Sequence, residues 1–393
     1  MKILATFKKY GFYSISIKSI FVHLNPTSLF FMQFFEVGSS VLSPNKFSQK
    51  NEDGTILAIQ KDVSAYIRFT KHDQRLDEWI PLRRLTHNLE SKNKQPTNNE
   101  SIIRNIEQIR YGDFSIQAWY YSPYPSSICP SKHLYICPYC FEYFQSPELY
   151  QIHRQFLPES KPKGLEIYRK DDISIFEINS TIDRLSCQLI YLLSKLFLEK
   201  SVLTYNVDNV TFYILCKCDD KGAHPVGFCS RPTNFNCNII LSEIVILPPF
   251  QKQGYSQILI SCAYEIAHRT MIIGGIEHPL NDLGTLAFEK YFKYSITSIL
   301  QLHESEIRTI KDISLFTSIC KNDVISTLKQ MKLYDEESEI DWNQLPDYLR
   351  ENRIDVNERI FCSEYLMYFT ESYEEEVDIE RILQEYDDSE TSG

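Results

Sequence analysis

The chain has 393 residues, too many for one small domain and enough for two or three. Its 43% hydrophobic and 13% aromatic content can fill real cores, and its net charge of −11 is unlike a protein that grips DNA by the phosphate backbone. That charge suits a lysine-rich partner instead. Of the 11 cysteines only Cys137 and Cys140 have the C-x-x-C spacing, and no secretory signal precedes them, which points to reduced thiols in cytosol or nucleus.

Residues 1–35 read as an N-terminal extension. Ser28-Leu-Phe-Phe-Met-Gln-Phe-Phe35 is apolar but too short to span a bilayer, and no small-residue cleavage site follows it. Met32 stands just before a strand-like run, Glu36-Val-Gly-Ser-Ser-Val-Leu42, so a poorly ordered extension or an early start at Met1 is expected. Residues 36–90 then alternate apolar and polar in short runs separated by charged turns, the pattern of a small antiparallel barrel. Its rings Tyr66, Phe69 and Trp79 are available for a cation–π cage, although rings in small barrels are more often core than cage. Residues 91–100 are polar and aperiodic, a linker, and order returns near 101.

Apolar residues recur at helical spacing over 189–200, at Leu189, Leu192, Leu193, Leu196 and Phe197. Strands are expected over 210–216 and 239–247, and an amphipathic helix over 256–268 with Ile258, Leu259, Cys262 and Ile266 on its apolar side. Residues 310–334 read as two short helices with a turn near Asn322-Asp323. The tail 371–393 is acidic and expected to be solvated and disordered.

The most informative stretch is Glu243-Ile-Val-Ile-Leu-Pro-Pro-Phe-Gln251-Lys-Gln-Gly254-Tyr-Ser-Gln257. A strand runs into Pro-Pro, then a Gly-containing turn, then a helix, and such a helix start presents free N–H groups to an anion such as a pyrophosphate. Downstream, Ile276-Glu277-His-Pro-Leu-Asn281-Asp-Leu-Gly284 sets a carboxylate beside a second turn. Together with Trp119-Tyr-Tyr-Ser-Pro-Tyr-Pro125, Leu134-Tyr-Ile-Cys-Pro-Tyr-Cys140 and Glu166-Ile-Tyr-Arg-Lys-Asp-Asp-Ile-Ser-Ile-Phe-Glu177, in register and in order, this resembles the MYST family of histone lysine acetyltransferases. The resemblance runs from Ser101 to about Tyr368.

The resemblance implies an α/β fold: a mixed-sheet, GNAT-like acetyl-CoA core over 165–300, a zinc-finger-like segment over 135–160 and a winged-helix-like segment over 301–370, all within a catalytic domain of 101–370. Arg75-Leu-Asp-Glu-Trp-Ile80 resembles the signature of the chromo-barrel that precedes many such domains, with its ligand left open. Acetyl-CoA is the implied acetyl donor. A lysine of pKa near ~10.4 must lose a proton before it can attack, and Glu277 matches the family's general base. Backbone groups of Ile244, Val245 and Ile246 match the segment along the acyl arm. Lys252, Gln253, Gly254, Tyr255, Ser256 and Gln257 match the pyrophosphate loop, and Asn281 stands where a serine is usual.

Four departures carry consequences. Ser256 replaces the last loop glycine, harmless unless that position needs positive φ. Glu243 replaces a cysteine beside the acetyl group, which leaves direct attack in a ternary complex and sets a second carboxylate near Glu277, raising one of the two pKa values. Ser201 replaces the autoacetylated lysine. Cys137, Cys140 and His153 match three zinc ligands, with Leu157 in the fourth place. Glu159, His133 or Cys129 could substitute, or without metal Leu157 joins a small apolar core.

The expected activity is histone tail acetylation in the nucleus, acting on nucleosomes as a subunit of a multi-protein complex, with no membrane association and no requirement for direct DNA reading. A catalytically weak scaffold of a chromatin complex is the competing reading, favoured by Glu243, Ser256 and Leu157. A small-molecule acetyltransferase leaves the barrel and the finger unexplained.

Overall fold

The computed structural model describes residues 35–87 and 104–368 apart from short interruptions, among them 46–49, 200–204, 234–237 and 355–360. The expectations for the N-terminal extension, the linker, the acidic tail, Ser201, Cys129 and Glu159 lie outside the described residues. The chain divides into two compact units, Met1–Ile103 and Arg104–Gly393.

In the first unit, β1 (Ser40–Asn45), β2 (Lys50–Gln60), β3 (Ser64–Phe69), β4 (Glu78–Pro81) and β5 (Thr86–His87) form an antiparallel sheet in the order β4-β3-β2-β1-β5. One face closes over Val41, Ile56, Ala65, Ile67, Phe69, Ile80 and Leu85. A register shift between Ile56 and Ala58 bends β2 so that the sheet can curl. Asp77, almost fully buried, accepts from Arg68 Nε at 3.0 Å and Nη2 at 2.9 Å, which ties the β4 approach to β3. Phe69 and Tyr66 are buried, and Trp79 lies 5.4 Å from the Tyr66 ring, so two of the three candidate cage rings are packing groups.

The second unit opens with β6 (Gln108–Tyr111), β7 (Phe114–Gln117), β8 (His133–Ile136) and β9 (Tyr143–Phe144), a sheet ordered β7-β6-β8-β9 and followed by helix α1 (Pro147–Phe156). Next come β10 (Leu165–Lys170), β11 (Ile173–Asn179), helix α2 (Arg184–Lys195), β12 (Val210–Asp219), β13 (Gly222–Pro232), β14 (Ile239–Leu241) and β15 (Glu243–Ile246). The central sheet is β10-β11-β12-β13-β15, antiparallel throughout. Helix α3 (Tyr255–Arg269), β16 (Gly275–Ile276), α4 (Asp282–Leu302), α5 (Ile310–Thr317), α6 (Lys321–Met331), the hairpin β17 (Tyr334–Asp335) and β18 (Glu339–Ile340), and α7 (Leu345–Glu351) complete the unit. Among the described residues no helix is long and apolar enough to cross a membrane.

Strand β12 is buried on both faces, which is why its sequence is a continuous apolar run rather than an alternation. Phe212, Ile214 and Cys216 join α2 and the β6–β8 layer on one side, while Tyr213 and Leu215 join α3, α4 and the C-terminal helices on the other. This is the expected mixed α/β arrangement, with three local corrections. The run 239–247 is two strands, β14 and β15, separated at Ser242. The turn expected near Asn322-Asp323 falls earlier, at Ser318 with φ 59°, and both residues sit in the first turn of α6, where Asp323 faces the positive end of the helix. Helix α2 begins at Arg184, capped by Asp183, whose carboxylate accepts from the Ser186 N–H at 3.0 Å and the Ser186 hydroxyl at 2.7 Å.

Candidate active site

The division at Ser242 creates the site. β14 pairs in parallel with β16, Leu241 opposite Ile276, whereas β15 pairs with β13 and is an edge of the central sheet. One continuous segment therefore leaves one partner and follows another, and the two strands splay. An edge strand presents a row of backbone N–H and C=O groups that can pair with an extended, amide-bearing arm. A cleft of about 390 Å³ lies along that edge, lined by Ile244, Val245, Ile246, Phe250, Gln251, Lys252, Gly254, Tyr255, Ser256, Gln257 and Asn281.

The loop between β15 and α3 is shaped by two left-handed residues, Lys252 at φ 62° and Gly254 at φ 87°. Gly254 is the N-cap of α3; Gln257 N–H already donates to Gly254 O at 2.9 Å, and the Tyr255 and Ser256 N–H groups of the first turn have no helical acceptor at the cleft end, where the positive pole of the helix lies. A Cβ on Gly254 would meet no heavy atom within 4 Å. The glycine is needed for its backbone angle, and the space beside it is cleft. Ser256 is already inside the helix and is absent from the left-handed positions, so no glycine is required there. Gln251 donates its side-chain N–H to Ile246 O at 2.8 Å, which holds the loop against the edge strand.

Glu277 follows β16 directly and donates its backbone N–H to Leu241 O at 3.1 Å. Glu243 starts β15, two residues past the same Leu241, is 7% exposed, and donates its N–H to Ser230 Oγ at 3.2 Å. The topology hangs both carboxylates from neighbouring strands at the splay, while neither belongs to the lining of the cleft itself. Glu243 acts on the last turns of α2. Burial lowers the Lys195 pKa and the Glu243 charge opposes that shift, whereas burial and then Glu243 together raise Tyr191.

Two expected ligand side chains have other work. Gln257 is buried and donates to Ala287 O at 2.9 Å, joining α3 to α4. Gln253 lies outside the cleft lining and donates to Pro249 O at 3.3 Å. Asn281 caps α4 by accepting from Gly284 N–H at 2.7 Å, which leaves its NH2 as the group able to donate. Sequence reasoning missed the far wall: Trp119 and Phe197, ring centroids 5.6 Å apart, with Leu286, Ala287 and the cation Lys290. The Trp-Tyr-Tyr-Ser landmark contained the first of these without revealing its role.

Cys137, Cys140 and His153 form the metal-type cluster found among the described residues, with donor atoms all within 4.8 Å of one another. Cys140 Sγ lies 3.3 Å from His153 Nε2. Hydrogen bonding with Cys140 draws the Cys137 thiol down, while the same bond raises Cys140. Leu157, Phe144 and Tyr150 pack against the small cluster of Cys137, Tyr139 and Cys140. The donor set and spacing fit three corners of a zinc tetrahedron.

The α/β fold thus sets an edge strand, a left-handed loop and a helix N-terminus around one cleft, a frame able to hold an extended anionic ligand. Residues 161–361 match the MOZ/SAS family and residues 103–156 match the MYST family zinc finger domain. The chain belongs to the MOZ/SAS, or MYST, family of histone acetyltransferases. It is 37% identical over 238 residues to the histone acetyltransferase MOF of Drosophila melanogaster, covering 60% of this chain and 29% of that protein. It is 31% identical over 309 residues to histone acetyltransferase of the MYST family 1 of Arabidopsis thaliana, covering 69% of each. It is 39% identical over 231 residues to the histone acetyltransferase mst1 of Schizosaccharomyces pombe, covering 59% of this chain and 50% of that protein. The family resemblance read from these sequence stretches is thereby borne out.

Proposed function

We propose that this chain transfers acetyl groups from acetyl-CoA to lysine ε-amines of histone tails by general-base catalysis in a ternary complex. The observation that carries the proposal is the splay itself: an edge strand, a left-handed loop and a helix N-terminus around one cleft, with Glu277 on the adjoining strand. In this reading the thioester arm lies along Ile244–Ile246 backbone groups, and the pyrophosphate meets the N–H groups of the Lys252–Ser256 turn. Lys252 and Lys290 supply cations at the cleft margin. Glu277 takes the proton from the substrate ammonium, directly or through a water, and the neutral amine attacks the thioester carbon. The attacking nitrogen gives up its second proton, the carbonyl double bond re-forms, the C–S bond breaks, and that proton leaves with CoA as its thiol.

Glu243 cannot form an acyl-cysteine, so direct attack is the route. Its carboxylate, near the splay and opposed by the half-buried Lys195, attracts the substrate ammonium. The acidic chain balance supports a lysine-rich partner, and the names of the relatives support chromatin as the setting and the nucleus as the compartment. The first unit serves as a chromo-barrel-type docking module. The α5–α6 pair with its hairpin serves as a winged-helix-like brace on α4, and Cys137, Cys140 and His153 hold zinc. Membership of a multi-protein acetyltransferase complex belongs to the same reading.

The test is Glu277→Gln. Acetyl transfer should fall by roughly 10²–10⁴-fold while acetyl-CoA binding is retained; unchanged turnover would remove Glu277 as the base. The second reading, a scaffold that retains the cleft, draws on the buried Glu243. It requires acetyl-CoA binding with no transfer by the unaltered chain.

A further inference from the structure

The turn that leads out of β15 into the left-handed loop has little backbone to hold it. Pro248 and Pro249 carry no N–H. Phe250 N–H closes the turn by donating to Leu247 O at 2.8 Å, and Gln251 N–H donates to Pro248 O at a longer 3.4 Å. Side-chain packing therefore has to supply much of its rigidity. Phe250 is partly buried, packs on both hydrophobic cores of the second unit, and lines the cleft two residues before Lys252.

A ring from the sheet that carries the finger meets Phe250. β6 and β7 form a hairpin, Tyr111 opposite Phe114, and its two-residue turn has a positive φ of 56° at Gly112. The rings of Phe114 and Phe250 meet edge to face, centroids 4.9 Å apart and planes at 73°. In that geometry the positive rim of one ring is attracted to the negative face of the other.

The hairpin is a firm base for this contact. Ile109 and Ile116 are buried in the core, and β6 pairs in parallel with β8 as far as Ile136, the residue before Cys137. The Tyr111 hydroxyl lies 3.4 Å from both Pro138 O and Pro225 O, which ties the hairpin to the knuckle and to β13. Phe114 itself is 42% exposed and outside the cleft lining. A ring left that open adds little to the core, yet it touches a residue that shapes the cleft.

We infer that Phe114 is a positioning residue for acetyl-CoA: by bracing the Phe250 ring from outside the cleft, it holds the Pro248–Phe250 turn and the Lys252–Gly254 loop in the form that receives the cofactor. Apparent affinity scales with the fraction of chains whose loop is competent to bind. An aromatic pair of this geometry shifts such an equilibrium by about two- to tenfold. Phe114 touches no reacting atom, and Glu277 sits on a different strand from the loop, so the effect falls on cofactor affinity and not on turnover at saturation. The hairpin shares its sheet with the strand that enters the finger knuckle, so the finger side of the unit acts on the cofactor loop through this contact.

This inference rests on the reading of the cleft as the acetyl-CoA site. Acetyl-CoA affinity is measured by calorimetry, and KM and kcat by acetyl transfer to histone tail peptides, on the full chain and on Phe114→Ala, Phe114→Tyr, Phe250→Ala and the double variant. Phe114→Ala should unfold at nearly the temperature of the unaltered chain, raise Kd and KM for acetyl-CoA about two- to tenfold, and leave kcat unchanged. Phe114→Tyr keeps the ring and should restore the affinity. Phe250→Ala should weaken binding by itself, and adding Phe114→Ala to it should have no further effect, because the two rings act as a unit. A folded Phe114→Ala chain whose affinity stays within about twofold of the unaltered one would overturn the inference. So would a loss of the same size with and without Phe250. Absence of acetyl-CoA binding by the unaltered chain would overturn the reading of the cleft, and this inference with it.

Discussion

Gly254→Ala separates the two reasons a glycine can be needed at the loop. At φ 87° an alanine enters the left-handed region, which costs about 1–2 kcal/mol. No steric term adds to it, because no heavy atom lies within 4 Å of the new Cβ. Thermal unfolding should therefore move by only a few degrees. The methyl group, however, projects into the space beside the α3 N-terminus, where the pyrophosphate is proposed to lie. Acetyl-CoA affinity, read by calorimetry, should fall at least tenfold, about 1.4 kcal/mol. Gly112→Ala is the matched control: φ is 56°, the nearest atom to its Cβ is Pro138 Cγ at 3.8 Å, and it lies outside the cleft. It should lower stability by a similar amount and leave acetyl-CoA affinity unchanged. A folded Gly254→Ala chain with unaltered affinity would refute the placement of the cofactor.

Gly227→Ala should act through the sheet: its Cβ would stand 2.6 Å from Val245 O and 2.5 Å from Ile246 Cδ1, forcing β13 from β15, with about 1–3 kcal/mol lost in denaturant unfolding and acetyl-CoA binding lost with it. Gln257→Leu should lower stability by about 0.5–1.5 kcal/mol by removing the amide bond to Ala287 O that joins α3 to α4. Acetyl-CoA affinity measured on the folded Gln257→Leu chain should stay within about threefold, and a larger loss would return Gln257 to the ligand shell. Asp183→Ala removes the α2 cap at about 1 kcal/mol. Burial works to raise that carboxyl, but the Ser186 N–H and hydroxyl outweigh it and the net shift is downward. The stabilisation is therefore present above pH 3.8 and lost as pH falls through the depressed folded value, so the two unfolding curves should converge in acid.

Local signals carried much of the fold. The β12 run, the α3 periodicity and the Pro-Pro-to-helix turn all depend on residues close in sequence, and each stands within a few residues of its expected place. The splay was not legible, because 239–246 reads as one strand-like run, and only its partners, β16 for one half and β13 for the other, divide it at Ser242. Asn322 and Asp323 illustrate a related ambiguity, since residues that favour turns also favour the first turn of a helix. Trp119, Phe197 and Lys290 reach the cleft from three distant segments, and no spacing rule connects them. Gln257 was read as part of a ligand loop and lines the cleft; that its amide also joins two helices is visible only once α4 is packed beside α3.

The most direct test of the account is acetyl transfer from labelled acetyl-CoA to histone tail peptides by the full chain, measured beside acetyl-CoA binding for the unaltered protein and Glu277→Gln. The account predicts transfer by the unaltered chain, loss of that transfer in Glu277→Gln, and equal acetyl-CoA binding by both. Acetyl-CoA binding without transfer by the unaltered chain, with partner subunits supplied, would contradict it.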